Sequence, residues 1–183
     1  MNEDNLLIEG RNAVLEAFRS GRTIDRLYVL DGCKDGPIQS IVREARKQDT
    51  IITFVARERL DQLSQTRSHQ GVIAQGAAYG YVEVEDILER ARQKGEPPFV
   101  ILLDGIEDPH NLGAIIRTAN LAGAHGVIIP KRRAVGLTAS VAKTSAGALN
   151  YTGVAKVTNL SATIEQLKKE GLWFVCADMG GEL

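Results

Sequence analysis

Apolar residues recur along this chain with two periods, and the switches between them set out an order of elements. Arg11 to Ser20 places Val14, Leu15, Ala17 and Phe18 at helical spacing, with Gly21 following where a left-handed cap is wanted, which predicts a short helix. Arg26 to Leu30 is a strand-length run rich in aromatic and branched residues. Gly36-Pro37 then opens a helix from Ile38 to Lys47, with Ile38, Ile41, Val42 and Ala45 on one face. Ile51 to Val55 reads as a second strand, Arg57 to Leu63 as a helix, Ser64 to Gln70 as a polar loop, and Gly71 to Ala74 as the start of a third strand. Residues 1–78 therefore read as one small α/β unit.

The pattern shifts at Tyr79. An acidic amphipathic helix is predicted from Val84 to Lys94, ended by Gly95 and followed by Glu96-Pro97-Pro98. Two consecutive prolines favour a stiff, extended backbone, so residues 79–98 are read as a linker between two domains. Phe99 to Leu103 is a continuous apolar run, as parallel strands buried on both faces require. Val127–Ile129, Val154–Val157 and Trp173–Ala177 repeat the signal, alternating with helical segments at Leu112–Ala122, Ala139–Ala148 and Leu160–Glu170. Such a series implies a mostly parallel sheet over residues 99–183.

Composition narrows the class. With 183 residues, 44% hydrophobic, 25% charged and a formal net charge of −1, the chain fits an ordinary globular protein and not a disordered or collagen-like one. Its apolar runs are too short to span a bilayer, and the amino end carries no charged region followed by an apolar stretch; a cytoplasmic protein is expected. Cys33 and Cys176 are expected to be buried thiols. Charge read by region says more than the total. Residues 1–78 are balanced, whereas 109–164 contain no acidic residue but hold Arg117, Lys131, Arg132, Arg133, Lys143 and Lys156. That interval should carry a positive potential suited to a polyanion, unless it is merely a solvated basic surface.

Candidate chemistry gathers in Asp104 to Asn120 (DGIEDPHNLGAIIRTAN), at the carboxyl end of the first strand of the second domain, where ligands collect in open α/β sheets. Pro109 and Asn111 suit the end of a loop and the cap of the next helix. Leu112, Ile115, Ile116 and Ala119 form its buried stripe, while Gly113, Arg117 and Asn120 share another face. Two readings stay open. Either Gly113 leaves room for a bulky group beside a free Arg117 that meets an anion, or Arg117 pairs with Asp104 or Glu107 and Gly113 permits close helix packing. Dinucleotide and nucleoside-triphosphate fingerprints are missing, and His69, His110 and His125 lack metal-ligand spacing and are read as structural or loop-exposed.

The segment DPHNLGAIIRTANLAGAHGVIIPKRR resembles the first signature motif of the SpoU/TrmH RNA ribose 2′-O-methyltransferases, and EGRNAVLEAF with HQGVIA resembles the amino-terminal domain of that family's ribosomal guanosine branch. The resemblance implies a small α/β RNA-binding domain, similar to small ribosomal proteins, followed by a SPOUT-type, trefoil-knotted methyltransferase domain. It further implies S-adenosylmethionine as cofactor, ribosomal RNA as partner and a homodimer. Carried over, Asn111 and Arg117 are the catalytic positions. Ala177, Asp178, Met179 and Gly180 resemble one rim of the cofactor site. Arg11, Arg19, Lys131, Arg132, Arg133 and Lys143 are candidate RNA contacts.

One departure bears on these expectations. The family's two later motifs, a glycine-rich loop containing Glu and a Ser-Leu-Asn segment, do not occur before Leu183. The methyltransferase domain is therefore expected to be incomplete at its carboxyl end, and cofactor binding weak or absent. A non-catalytic RNA-binding module of the same architecture is the alternative; a nucleotide-dependent oxidoreductase is disfavoured by the missing glycine fingerprint.

Overall fold

The computed structural model describes residues 6–177. Leu7–Glu9 (β1), Arg11–Arg19 (α1), Ile24–Leu30 (β2), Gly36–Lys47 (α2), Ile51–Val55 (β3), Arg57–Leu63 (α3) and Val72–Gly76 (β4) make the first half. Its sheet has the order β1-β4-β2-β3, with β2 and β3 parallel and β4 antiparallel to both β1 and β2. The apolar stripes of α1 and α2, Val14 and Phe18 with Ile38, Ile41 and Ala45, close over Leu27, Val29, Val72 and Ala74 as one core. α3 lies against β2 and β4, with Leu60 fully buried. The short β1 was not anticipated from the sequence; a three-residue strand is too brief for its alternation to stand out.

The second half comprises Val84–Lys94 (α4), Val100–Leu102 (β5), Pro109–Leu121 (α5), Gly126–Pro130 (β6), Ala139–Thr144 (α6), Gly153–Val157 (β7) and Leu160–Lys169 (α7). β5, β6 and β7 pair in parallel in that order. Alternation along β6 sends Val127 and Ile129 into a core with Leu112, Ile116 and Val141, and Ile128 into a second core with Ile87, Leu88, Ala155 and Leu167. The sheet is thus covered by α5 and α6 on one face and by α4 and α7 on the other, which is why its strands are apolar apart from Lys156 near the end of β7. Among the described residues no helix is long and apolar enough to cross a membrane.

Interval 79–98 does not hang free. Val82 N–H donates to Val154 O at 3.0 Å, Ile87 and Leu88 of α4 are buried in the second core, and a Cβ on Gly126 would lie 2.5 Å from Ile87. Burying a side chain of that size contributes roughly 1.5–3 kcal/mol.

Three sequence expectations are corrected. Trp173–Ala177 is not a strand: Leu172 and Phe174 pack on the second core, but no ladder forms, and Trp173 and Val175 are each 98% exposed. The helix expected over Ala139–Ala148 stops at Thr144, because Ala146 and Gly147 turn left-handed at φ 49° and 87° and a one-turn 3₁₀ helix, Ala148–Asn150, follows. The thiols are not buried: Cys33 is half-exposed with Sγ 3.4 Å from Asp35 Oδ2, and Cys176 is exposed beyond the sheet.

Candidate functional site

Two loops meet at the carboxyl edge of the parallel sheet. Residues 103–108 follow β5 and residues 131–138 follow β6, and they are joined by Val135 N–H donating to Ile106 O at 2.9 Å. α5 starts from the first loop. Its cap is Asp108, whose Oδ1 accepts from Asn111 N–H at 2.8 Å, with Pro109 at the first helical position. The sequence reading put the cap on Asn111; the extended backbone that a cap requires falls one residue before the proline, so Asn111 is already inside the helix and its side chain is exposed.

Gly113 resolves to close helix packing. It is buried, and a Cβ there would lie 2.6 Å from Thr144 Cβ and 2.9 Å from Val141 O of α6. No space for a ligand is left beside it. Asn120, expected on the same face as Arg117, accepts from Thr152 Oγ1 at 3.1 Å. Arg117 is exposed and, among the described residues, pairs with neither Asp104 nor Glu107 nor any other carboxylate. Arg117 is not among the residues that line the cleft between the halves. Asn111 and Arg117 stand about 9 Å apart along the axis and about a third of a turn apart around it.

That cleft, about 420 Å³, opens between the halves. Arg26, Tyr28 and Gln75 of the first sheet face Glu107, Lys131, Arg133 and Thr138 from the carboxyl edge of the second. At its wall is a polar cluster that the sequence reading missed. The ladder between β2 and β4 slips between Ile24 and Arg26, and this bulge leaves Ile24 and Asp25 both buried in succession, aiming the Asp25 carboxylate out of its own sheet. Asp25 Oδ1 accepts from Tyr81 Oη and from Lys156 Nζ, both at 2.6 Å; Tyr81 Oη in turn accepts from Leu137 N–H at 2.9 Å. Burial, and after it the adjoining Asp25 charge, push the Tyr81 hydroxyl far above its ordinary range, so it stays a donor at every working pH. Asp25 Oδ2 is buried with no partner. The signal available beforehand was a carboxylate at an inward position of an apolar strand.

The candidate RNA contacts are dispersed. Arg11 is engaged by Asp35 Oδ2 at 2.6 Å and Gln70 O at 3.1 Å, and Lys131 by Asp49. Arg19, Arg132, Arg133 and Lys143 are exposed and unpaired among the described residues. Ala177 is exposed, and Asp178, Met179 and Gly180 lie outside the described residues. His69 and His125 are buried and structural: each ring Nδ1 accepts a backbone N–H, from Gly71 and Phe99, and each Nε2 meets a carboxylate, Asp61 and Glu96. His110 is exposed, 3.3 Å from Thr144 Oγ1.

Comparison with known proteins agrees with this layout. Residues 7–82 match the family model for RNA 2′-O ribose methyltransferase substrate binding, and residues 98–182 match that of the SpoU rRNA methylase family. A protein of Bacillus subtilis named as a TrmH family tRNA/rRNA methyltransferase is 47% identical over 97% of this chain and 71% of its own length. One of the same name from Staphylococcus epidermidis is 45% identical over 93% of this chain and 68% of its own length. Among solved structures, the SpoU methyltransferase AviRb of Streptomyces viridochromogenes, in complex with AdoMet, aligns at 20% identity and TM-score 0.44 over 92% of this chain and 60% of that one. An AdoMet-bound rRNA methyltransferase of Sinorhizobium meliloti aligns at 21% and 0.41 over 90% of this chain. This chain thus spans about three-fifths of those structures' length. With both halves matched in the order found here and close to half of all positions shared with a relative, the chain belongs to the SpoU/TrmH family of RNA methyltransferases.

Proposed function

We propose that the protein takes part in methyl transfer from S-adenosylmethionine to a ribose 2′-hydroxyl of RNA, with a guanosine of 23S ribosomal RNA as the target. Residues 1–78 capture RNA and residues 99–183 carry the transfer; action as a homodimer in the cytoplasm belongs to the same reading. The observation that carries it is Arg117, which stands at the family motif's arginine, exposed and, among the described residues, unpaired on the helix that follows the first parallel strand.

A guanidinium stays protonated in proteins, so Arg117 cannot serve as the base. It stabilises the negative charge that develops on the ribose 2′-oxygen, or holds a flanking phosphate. Asn111, in the first turn of the same helix, donates its amide to the substrate. The bound cofactor supplies an electrophilic sulfonium methyl. The three clefts lined by Asp25, Glu9 and Arg11 with their neighbours are walled mainly by charged and polar groups, unlike the apolar slot an adenosine requires, and Ala177 lines none of these three.

The test is labelled methyl incorporation into ribosomal RNA by the wild type and by Arg117→Ala, with RNA affinity measured alongside. Loss of transfer by about a hundredfold or more with affinity kept supports the assignment; unchanged turnover refutes it. A second reading, a non-catalytic RNA-binding module of the same architecture, predicts RNA binding by the wild type and no incorporation at all.

A further inference from the structure

We propose that Asp25 and Asp49 act as internal stand-ins for RNA phosphates, latching the first half over two cations of the second and closing a phosphodiester-binding cleft that RNA must open. The inference rests on the RNA reading above and adds a gate to it.

Every one of the six cations between residues 109 and 164 lies in a stretch without an acid of its own, so any carboxylate that neutralises one must come from elsewhere. Among the described residues two are neutralised, both from the first half: Lys156 by Asp25 and Lys131 by Asp49. The two carboxylates come from unrelated places, a bulge in β2 and the left-handed residue after α2 at φ 52°, yet converge on the same loop and strand end. Lys131 and Lys156 line one cleft, and Arg26 and Arg133 line it with them. Four cations around one opening are the groups a sugar–phosphate backbone calls for.

The Asp25 contact is made as a latch would be. It is largely desolvated, with the side chains of Asp25 and Lys156 8% and 13% exposed, and it is held in register by Tyr81 from the connecting interval. It also depends on a glycine: a Cβ at Gly136 would lie 2.3 Å from Asp25 Oδ2. Yet the latch is imperfect, because that same Oδ2 has no hydrogen-bond partner, an uncompensated cost that a separated, hydrated Asp25 would not bear. A closed state with a built-in penalty can be displaced by a ligand offering Lys131 and Lys156 better-solvated anions. Apparent RNA affinity is then the intrinsic affinity reduced by the open fraction.

Because opening, and not charge alone, is claimed, the decisive variant is neutral. Gly136→Ala adds a methyl group that Asp25 cannot accommodate and alters no charge. The probe is a fluorescein-labelled single-stranded 20-nucleotide RNA, titrated at fixed ionic strength against the full chain. Variants are Gly136→Ala, the double variant Asp25→Asn/Asp49→Asn, and Asp31→Asn, an exposed acid of the first half that, among the described residues, reaches only its neighbour Gly32. Gly136→Ala and the double variant are both expected to bind at least about fivefold more tightly than wild type, a usual scale for coupled equilibria. Asp31→Asn sets the gain due to removing charge alone. If the double variant gains no more than Asp31→Asn per charge removed, and Gly136→Ala binds as wild type does, the latch is refuted while RNA binding itself stands. Should Gly136→Ala not fold, the double variant against Asp31→Asn decides. Binding by none of the proteins removes the RNA reading on which the latch rests.

Discussion

Gly113→Ala separates two roles that a glycine can have on α5. In an exposed helix interior, alanine is the better residue by about 1 kcal/mol. Position 113 is not exposed: the new Cβ meets Thr144 Cβ at 2.6 Å, Val141 O at 2.9 Å and Ser145 N at 3.0 Å. Two of these three atoms are backbone, so no rotamer change relieves them, and α5 and α6 must move apart. Forcing a methyl group into a packed interface costs roughly 1–3 kcal/mol. Set against the propensity gain, the net loss is about 1 kcal/mol, and 2 kcal/mol at the upper end. For a chain of this length that lowers the melting midpoint by about 2–8 °C. Thermal and urea unfolding of wild type and variant, followed by far-ultraviolet circular dichroism, measure it. A variant as stable as wild type, or more stable, while binding RNA less well, would show that the glycine makes room for ligand and not for helix α6, and the packing argument would fall.

Replacing Asp108 by Ala removes the side-chain acceptor at the start of α5 and should cost about 1 kcal/mol, read as a shift in urea midpoint with unchanged slope; no shift would mean the cap geometry is unimportant. Glu9 ties the loop after α3 to β1: burial raises its pKa, but hydrogen bonds from Ser64, Thr66 and Gln65 outweigh this and hold it below its ordinary 4.5. A carboxylate depressed in the folded state contributes stability that is fully present above its unfolded pKa and lost as pH falls through the folded one. The difference in urea midpoint between wild type and Glu9→Gln should therefore be constant near neutrality and shrink below pH 4.5. A pH-independent difference would contradict the assignment.

Regular elements were legible where one apolar face repeated over several residues. α2, α3, α4 and α7 match their periodicity within two residues at each end, because amphipathic burial alone dictates them. Trp173–Ala177 carries the same alternation as a strand yet forms none, since a ladder needs a partner backbone as well as a pattern. For the candidate site, the motif singled out Asn111 and Arg117, and both fall on α5. It could not say that Gly113 serves α6, because glycine spacing is the same for a ligand and for a helix. The meeting of Asp25, Tyr81 and Lys156 was not legible for a different reason: they lie 56 and 75 residues apart along the chain, and a bulge turns Asp25 toward the other two.

The way α4 seats on β6 also determines where this protein can be divided. A cut at Pro98, the start of the second family match, would leave behind the helix whose Ile87 and Leu88 roof Ile128 and Ala155. It would also discard the strand-like bridge from Val82 to Ala155. The smallest piece carrying an intact second half therefore begins upstream of Val82, and a shorter one would present an uncovered oily face to solvent and self-associate.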